Sequence, residues 1–393
     1  MGVTTYGLGE LQDIASGAAV LASGGGGSYS DACAILRELA AQPGTVSIPV
    51  QDYDGATNAC VLAIMGSPDA AEGLDLAAIT RSVRNTVQVL QGATGAPLGA
   101  FIPVEIGPIN SLVPLIGASL YPGAVWVVNG DGAGRAVPQL PQTTFTGTPQ
   151  LAPCPAALGS DAQAAADVQS AVLGAATAAQ VETLAGGVVG GFGGYSGIAM
   201  WPSNAGNGYA LSGSYIPGTL EQARGLGEFL RSAAVPPSTA AVAEAIRLIT
   251  GRASWPVVTN FYITGVTQAT TSASLDTGII QLDNNPDPLL STETHTIYNL
   301  NENLIMYSSL AQSPDVLAPD SICYYSEATG QGFSNASDDL VPYFDANTGR
   351  STGRAVSVLA VRAAPQLYNT PGVVASFAAL LRNLGYAGAM PSA

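Results

Sequence analysis

Two acidic residues and an arginine stand where apolar, strand-like runs of this chain give way to polar loops. Glu105 closes the strand-like run from Gly99 to Ile106, and Asn110 and Ser111 open the helical run behind it. Asp131 and Arg135 lie in Asn129-Gly-Asp-Gly-Ala-Gly-Arg135, directly after another apolar run. Open α/β sheets bind ligands beyond the carboxyl ends of their strands, so a carboxylate there can serve as a general base or hold a cation or an amide. Arg135 in such a loop can bind a carboxylate or a urea-type oxygen. Plain structural uses stand beside these: Glu105 at a helix N-terminus, and Asp131 paired with Arg135 to close its own loop. A third segment, Gly24, Gly25, Gly26 and Gly27 followed by Ser28, comes after a helical run. Four glycines permit positive φ and close approach to a ligand, and their amides can cradle an anion. With Asp31 as the cap of the next helix, they would also lie at its positive end. The same glycines would equally make a tight turn between helices. They lack the Lys-Ser/Thr pair of a phosphate loop and do not follow a strand, as a dinucleotide fingerprint must.

Other chemistry is narrowed by counting. His295 is the only histidine, so a zinc site built on several histidines is excluded, and a Ser-His-Asp triad would have to use it. Its setting in Thr294-His-Thr-Ile-Tyr298 reads as a structural or surface position on a strand. Any divalent metal would be held mainly by oxygen ligands; Asp283-Asn-Asn-Pro-Asp287 could gather one, though the phrase is also an ordinary polar turn. Cys33, Cys60, Cys154 and Cys323 are far apart and read as small buried residues. Asn335-Ala336-Ser337 matches a glycosylation acceptor by chance.

The elements that must position these residues change character along the 393-residue chain. The first third alternates: helical patterns at 8–22 and 31–41, strands at 46–50 and 59–65, a helix at 74–90, then strand 99–106, helix 110–118 and strand 124–128. That alternation predicts an open α/β sheet. An Ala-rich stretch at 162–184 reads as a helix, with a strand at 197–201 and helices at 220–234 and 237–250. From residue 257 short β-branched runs dominate, at 261–266, 278–282, 294–300 and 355–360. We therefore expect an N-terminal open α/β sheet domain (1–160) carrying the glycine loop and a β-rich α+β C-terminal domain (161–393).

Composition limits the partners. Only 10% of residues are charged, all twelve basic residues are Arg, and the net charge is -16. No basic stripe exists for nucleic acid, and an anionic membrane surface is disfavoured for the same reason. With no visible signal peptide or membrane span, a cytoplasmic protein is expected. So little charge fits a homo-oligomer that buries surface against its neighbours; it fits equally the drift of an Ala-rich, Lys-poor genome.

Several phrases in fixed order resemble the S-methyl-thiohydantoin desulfurase-like family, a domain associated with hydantoinase and oxoprolinase systems. They include Ala18-Ala-Val-Leu-Ala-Ser-Gly-Gly-Gly-Gly27, Met65-Gly-Ser-Pro68, Val104-Glu-Ile-Gly-Pro-Ile-Asn-Ser-Leu112 and Gly130-Asp-Gly-Ala-Gly-Arg-Ala-Val-Pro138. Gly218-Thr-Leu-Glu-Gln-Ala223, Leu300-Asn-Glu-Asn-Leu304 and Ala318-Pro-Asp-Ser-Ile322 follow. The resemblance implies action on a five-membered cyclic imide or thio-imide, by hydrolysis or desulfurisation. The chain departs from the family's pattern at Ser28-Tyr29, Gln139 and Thr146-Gly147, where the family carries Asp-Pro, an acid and a histidine. The resulting expectation is a hydrolase in which Glu105, Asp131 and Arg135 are catalytic, while Gly24 to Ser28, Asn110 and Ser111 bind the cyclic imide. The rival expectation is an inactive family member that serves as a subunit of a large or filamentous assembly.

Overall fold

The computed structural model describes residues 2–66, 74–272 and 275–392. Ser67 and Pro68 of the second family phrase lie outside them. The first half builds an eight-stranded sheet in the order Thr4–Tyr6, Ile48–Gln51, Trp126–Val128, Ala100–Pro103, Ala59–Met65, Ser196–Ser203, Ala156–Gly159, Ser170–Leu173. Ile48–Gln51, Trp126–Val128, Ala100–Pro103 and Ala59–Met65 run parallel, and the flanking strands are antiparallel. The parallel strands need both faces covered, and the sequence of Ala59–Met65 supplies this. Cys60, Leu62 and Ile64 enter one apolar core; Ala59, Val61 and Ala63, pointing the other way, enter a second.

Helices cover the faces for local reasons. Helix Leu76–Thr94 starts where Asp75 accepts from the Ala78 amide at 2.6 Å and stops at Gly95, whose φ is 66°. Its Ile79, Val83, Val87 and Leu90 form the buried stripe. Helix Tyr29–Ala41 starts two residues before the expected point: its cap is Ser28, whose Oγ accepts from the Asp31 amide at 3.1 Å, and Asp31 lies in the first turn. The Ala-rich stretch at 162–184 also departs from expectation. Ser170–Leu173 is an edge strand, and the helix runs over Ala178–Gly191. Helix propensity there is overridden by pairing with Ala156–Gly159, while burial of Val181, Ala185 and Val189 offsets the cost of four glycines farther along.

The second half forms a seven-stranded antiparallel sheet, in the order Pro314–Leu317, Glu302–Ser308, Thr294–Leu300, Leu275–Asp283, Ser254–Ser272, Ala355–Val361, Ser321–Tyr325. Its two outermost strands are joined by residues 318–320 alone. Laid flat, seven strands would span roughly 29 Å, whereas that connection reaches roughly 14 Å. The sheet must curl, and it encloses Ile263, Ile280, Ile297, Met306, Tyr324 and Val358 in a core of its own.

The halves interlock. Ser170–Leu173 and Ser196–Ser203, assigned to the second domain by a boundary at 160, belong to the first sheet. Helix Leu8–Leu21 crosses helix Thr219–Ser232 so closely that a Cβ at Gly17 would overlap the Ala223 carbonyl, and one at Gly227 the Asp13 carbonyl.

Candidate active site

The three loops singled out in the sequence do meet. The Gly26 carbonyl accepts from the Ile109 and Asn110 amides at 3.0 and 3.2 Å. There the two backbones touch, since a Cβ on Gly26 would strike the Cα of Gly107. The Ile106 amide donates to the Arg135 carbonyl at 3.3 Å. This junction lies beyond the carboxyl ends of Ala59–Met65 and Ala100–Pro103, as an open sheet leads one to expect.

Beside it is a cavity of about 110 Å³. Its walls hold Gly26, Gly27 and Ser28 of the glycine loop, Glu105 and Asn110, then Val137 to Leu140; apolar Ile64, Met65, Val104, Ile198 and Met200 complete the surround. Glu105 is 5% exposed and firmly held. Its Oε1 accepts from Asn110 Nδ2 at 2.7 Å and its Oε2 from the Val137 amide at 2.7 Å. Asn110 is fixed in turn, its Oδ1 accepting from the Ile64 amide at 3.1 Å. Burial nevertheless outweighs these hydrogen bonds and pushes the Glu105 carboxyl up to about 7, with the Asp131 charge adding to the rise.

Asp131 and Arg135 are placed differently from the expectation. Neither lines the cavity. The Asp131 carboxylate turns into its own loop, accepting from the Ala133 amide at 2.7 Å and the Gly134 amide at 2.8 Å. Burial raises it to about 6. Arg135 is fully buried and spends its donors on main-chain carbonyls: Ala136 at 2.7 Å, Pro319 at 3.0 Å, Asp320 at 2.8 Å and Asn303 at 3.0 Å. It pins the first half to the second and has no donor facing the cavity in that set. Asp131 does not pair with it; both charges are satisfied separately.

The glycine loop divides as well. Gly24 packs on Asn303 and Asn335, and Gly25 on the carboxyl of Glu302, leaving Gly26, Gly27 and Ser28 at the cavity. The positive end of helix Tyr29–Ala41 is already filled by a protein carboxylate. Asp339 accepts from the Tyr29 and Ser30 amides, both at 2.9 Å, which corrects the expectation of an anion cradle there. Ser111 sits behind the wall, its Oγ accepting from the Gly107 amide at 3.1 Å.

Two cavity carboxyls were missed in the sequence. Glu182, on the helix Ala178–Gly191, accepts from the Leu140 amide at 3.0 Å, and desolvation raises it to about 7. Glu302, at the start of strand Glu302–Ser308, is 3% exposed, and its Oε2 has no hydrogen-bond partner among the described residues. Burial first, then the charge of Glu105, push it well above the ordinary carboxylate range. A signal existed for Glu182, an isolated acid in an apolar helix, and for Glu302, which stands in the family phrase Leu300-Asn-Glu-Asn-Leu304.

The other candidates resolve structurally. His295 is buried between Asp315, 3.0 Å from Nδ1, and Glu293, 2.9 Å from Nε2. Asp283 is buried and accepts from Thr264, Thr294 and Gln281. Asn335 is buried, away from any glycosylating enzyme. The four cysteines are unpaired. Among the described residues no group of three or more His, Cys, Asp or Glu is arranged to hold a metal ion, and no helix is long and apolar enough to cross a membrane.

Comparison with known proteins places this architecture. The S-Me-THD-like N-terminal domain matches residues 9–170, and the S-Me-THD-like C-terminal domain matches residues 176–377. The chain belongs to the S-Me-THD-like family. A crystal structure of a Chromobacterium violaceum protein is similar throughout, with 26% identity, 99% of each chain covered and a TM-score of 0.79. A search of curated proteins found no match. In S-Me-THD-like terms the cavity is a joint product: Glu105 comes from the N-terminal domain, Glu182 and Glu302 from the C-terminal one.

Proposed function

We propose that the cavity binds a five-membered cyclic imide or thio-imide of the hydantoin type and that Glu105 activates water for attack on its carbonyl or thiocarbonyl carbon. One observation carries this reading: a buried carboxyl poised near neutrality, rigidly aimed into a ring-sized cavity. An apolar cavity of about 150 Å³ accepts benzene, so the smaller one here suits a smaller ring. Such a ring presents an N–H flanked by C=O or C=S groups. Carboxyl groups that hover between their acid and ionised forms match it, accepting from the N–H in one form and donating to the oxygen or sulfur in the other. The apolar walls keep bulk water from competing for these bonds.

A base must be ionised to act, so activity rises as pH passes through about 7, following Glu105. Glu105→Gln can accept from only one of its two donors, Asn110 Nδ2 or the Val137 amide, and removes the base. Its kcat on hydantoin or S-methyl-thiohydantoin should fall by roughly 10² to 10⁴. Steady-state assays across roughly pH 5 to 9 test both points. An unchanged kcat in the variant removes Glu105 from the chemistry.

A further inference from the structure

We infer that Glu302 is the proton donor to the atom that leaves the substrate ring carbon; this rests on the hydrolytic reading above. The geometry sets Glu302 apart from the other acids of the cavity. Glu105 has both oxygens engaged by N–H donors, the arrangement that suits a carboxylate. Glu302 lines the same cavity, and its buried Oε2 has no hydrogen-bond partner among the described residues. Burying such an oxygen without a partner is unfavourable. A ligand atom that accepts a proton there would recover that cost.

The surroundings keep the proton on Glu302. Gly25 carries no side chain, and a Cβ would overlap the carboxyl, so the loop backbone presses against it and helps to bury it. Glu105 faces it with like charge, while Arg135 and the Gly26 amide act in the opposite sense. Glu182 and Asp31 stand on the remaining walls. Burial outweighs the Arg135 attraction, in the direction already described.

The step then balances. Water oxygen bonds to the ring carbon while Glu105 takes one water proton. The bond from that carbon to the leaving nitrogen or sulfur breaks, and the leaving atom takes the Glu302 proton. The net change is hydroxyl to carbon and hydrogen to the leaving atom. A proton passing from Glu105 to Glu302 restores the starting state.

Leaving-group dependence reads this role in the intact protein. Glu302→Gln, nearly isosteric, should lower kcat on hydantoin and S-methyl-thiohydantoin by about 100-fold or more while moving KM only a few-fold. On an S-(2,2,2-trifluoroethyl)-thiohydantoin, which is compact and expels a much less basic thiolate, the loss should be less than about tenfold. Glu105→Gln should slow all three alike. Equal losses in Glu302→Gln on good and poor leaving groups would overturn the assignment. Infrared spectroscopy gives an arm free of turnover. At neutral pH the ligand-free wild type should show a carboxylic-acid C=O stretch that Glu302→Gln removes. A difference spectrum with only carboxylate bands overturns the assignment. A wild type inactive on every compound sinks the hydrolytic reading, and the infrared arm still decides whether Glu302 carries the proton.

Discussion

A carboxyl at the end of an apolar strand has two ways to be satisfied, by its own loop or by an open cavity, and this chain uses both. Asp131 folds back on the Ala133 and Gly134 amides; Glu105 reaches across to Asn110 and Val137 and faces the void. The amino-acid pattern alone does not separate the two, because a glycine-rich loop can turn inward as readily as outward. Arg135 was open to the same ambiguity. Its donors hold carbonyls at 136, 303, 319 and 320, so its worth is structural. Arg135→Met should cost about 3–5 kcal/mol, measured by urea denaturation. A loss of activity without loss of stability would restore it to the chemistry. Glu302 stood in a family phrase but could not be placed at the cavity from the sequence, since Glu105 and Glu182 lie far away in the chain and it follows a one-residue turn at Asn301, whose φ is 57°.

Among the elements, the periodic ones were the legible ones. Strands Ala59–Met65 and Thr294–Leu300 fall on the expected residues, because an unbroken apolar run and a strict alternation each have a single reading. Helix Ala178–Gly191 was displaced because alanine and glycine carry little periodic signal. The crossing of Leu8–Leu21 and Thr219–Ser232 gives a sharp test. Gly17→Ala drives a methyl into the Ala223 carbonyl and should destabilise by about 1–3 kcal/mol or more. Gly9→Ala, on the same helix with open space around it, should stabilise by about 0.5–1 kcal/mol. Thermal melts compare the two; a Gly17→Ala protein as stable as the wild type would contradict the close crossing.

For the molecule as a whole, four carboxyls at or near the cavity, Glu105, Glu182, Asp131 and Glu302, titrate upward on folding. Glu105 and Glu182 rise from 4.5 to about 7, and Asp131 from 3.8 to about 6. Over that window the unfolded chain binds fewer protons than the folded one, so stability falls as pH rises through it. The excess of acidic residues, with its net charge of -16, acts in the same sense through self-repulsion. Asp54 and Asp283 are held low and act oppositely, below the ordinary carboxylate range. The urea midpoint should therefore be higher near about pH 5 than above about pH 7, and the slope should flatten in Glu105→Gln. A midpoint that climbs over the same interval would show these carboxyls to be better solvated than described. The self-association expected from the sparse charge stands as a proposal; light scattering that finds a monomer at every concentration removes it.

The position of Ser196–Ser203 between Ala59–Met65 and Ala156–Gly159 has a consequence for birth of the protein on the ribosome. When Met65 has emerged, the strand's free edge still waits for a neighbour that the messenger encodes 131 codons later, counting from residue 65 to residue 196. At ordinary elongation speeds that delay is on the order of ten seconds. Throughout it an apolar edge stands open to any passing nascent chain, and a chaperone that shields this edge should raise the yield of native protein.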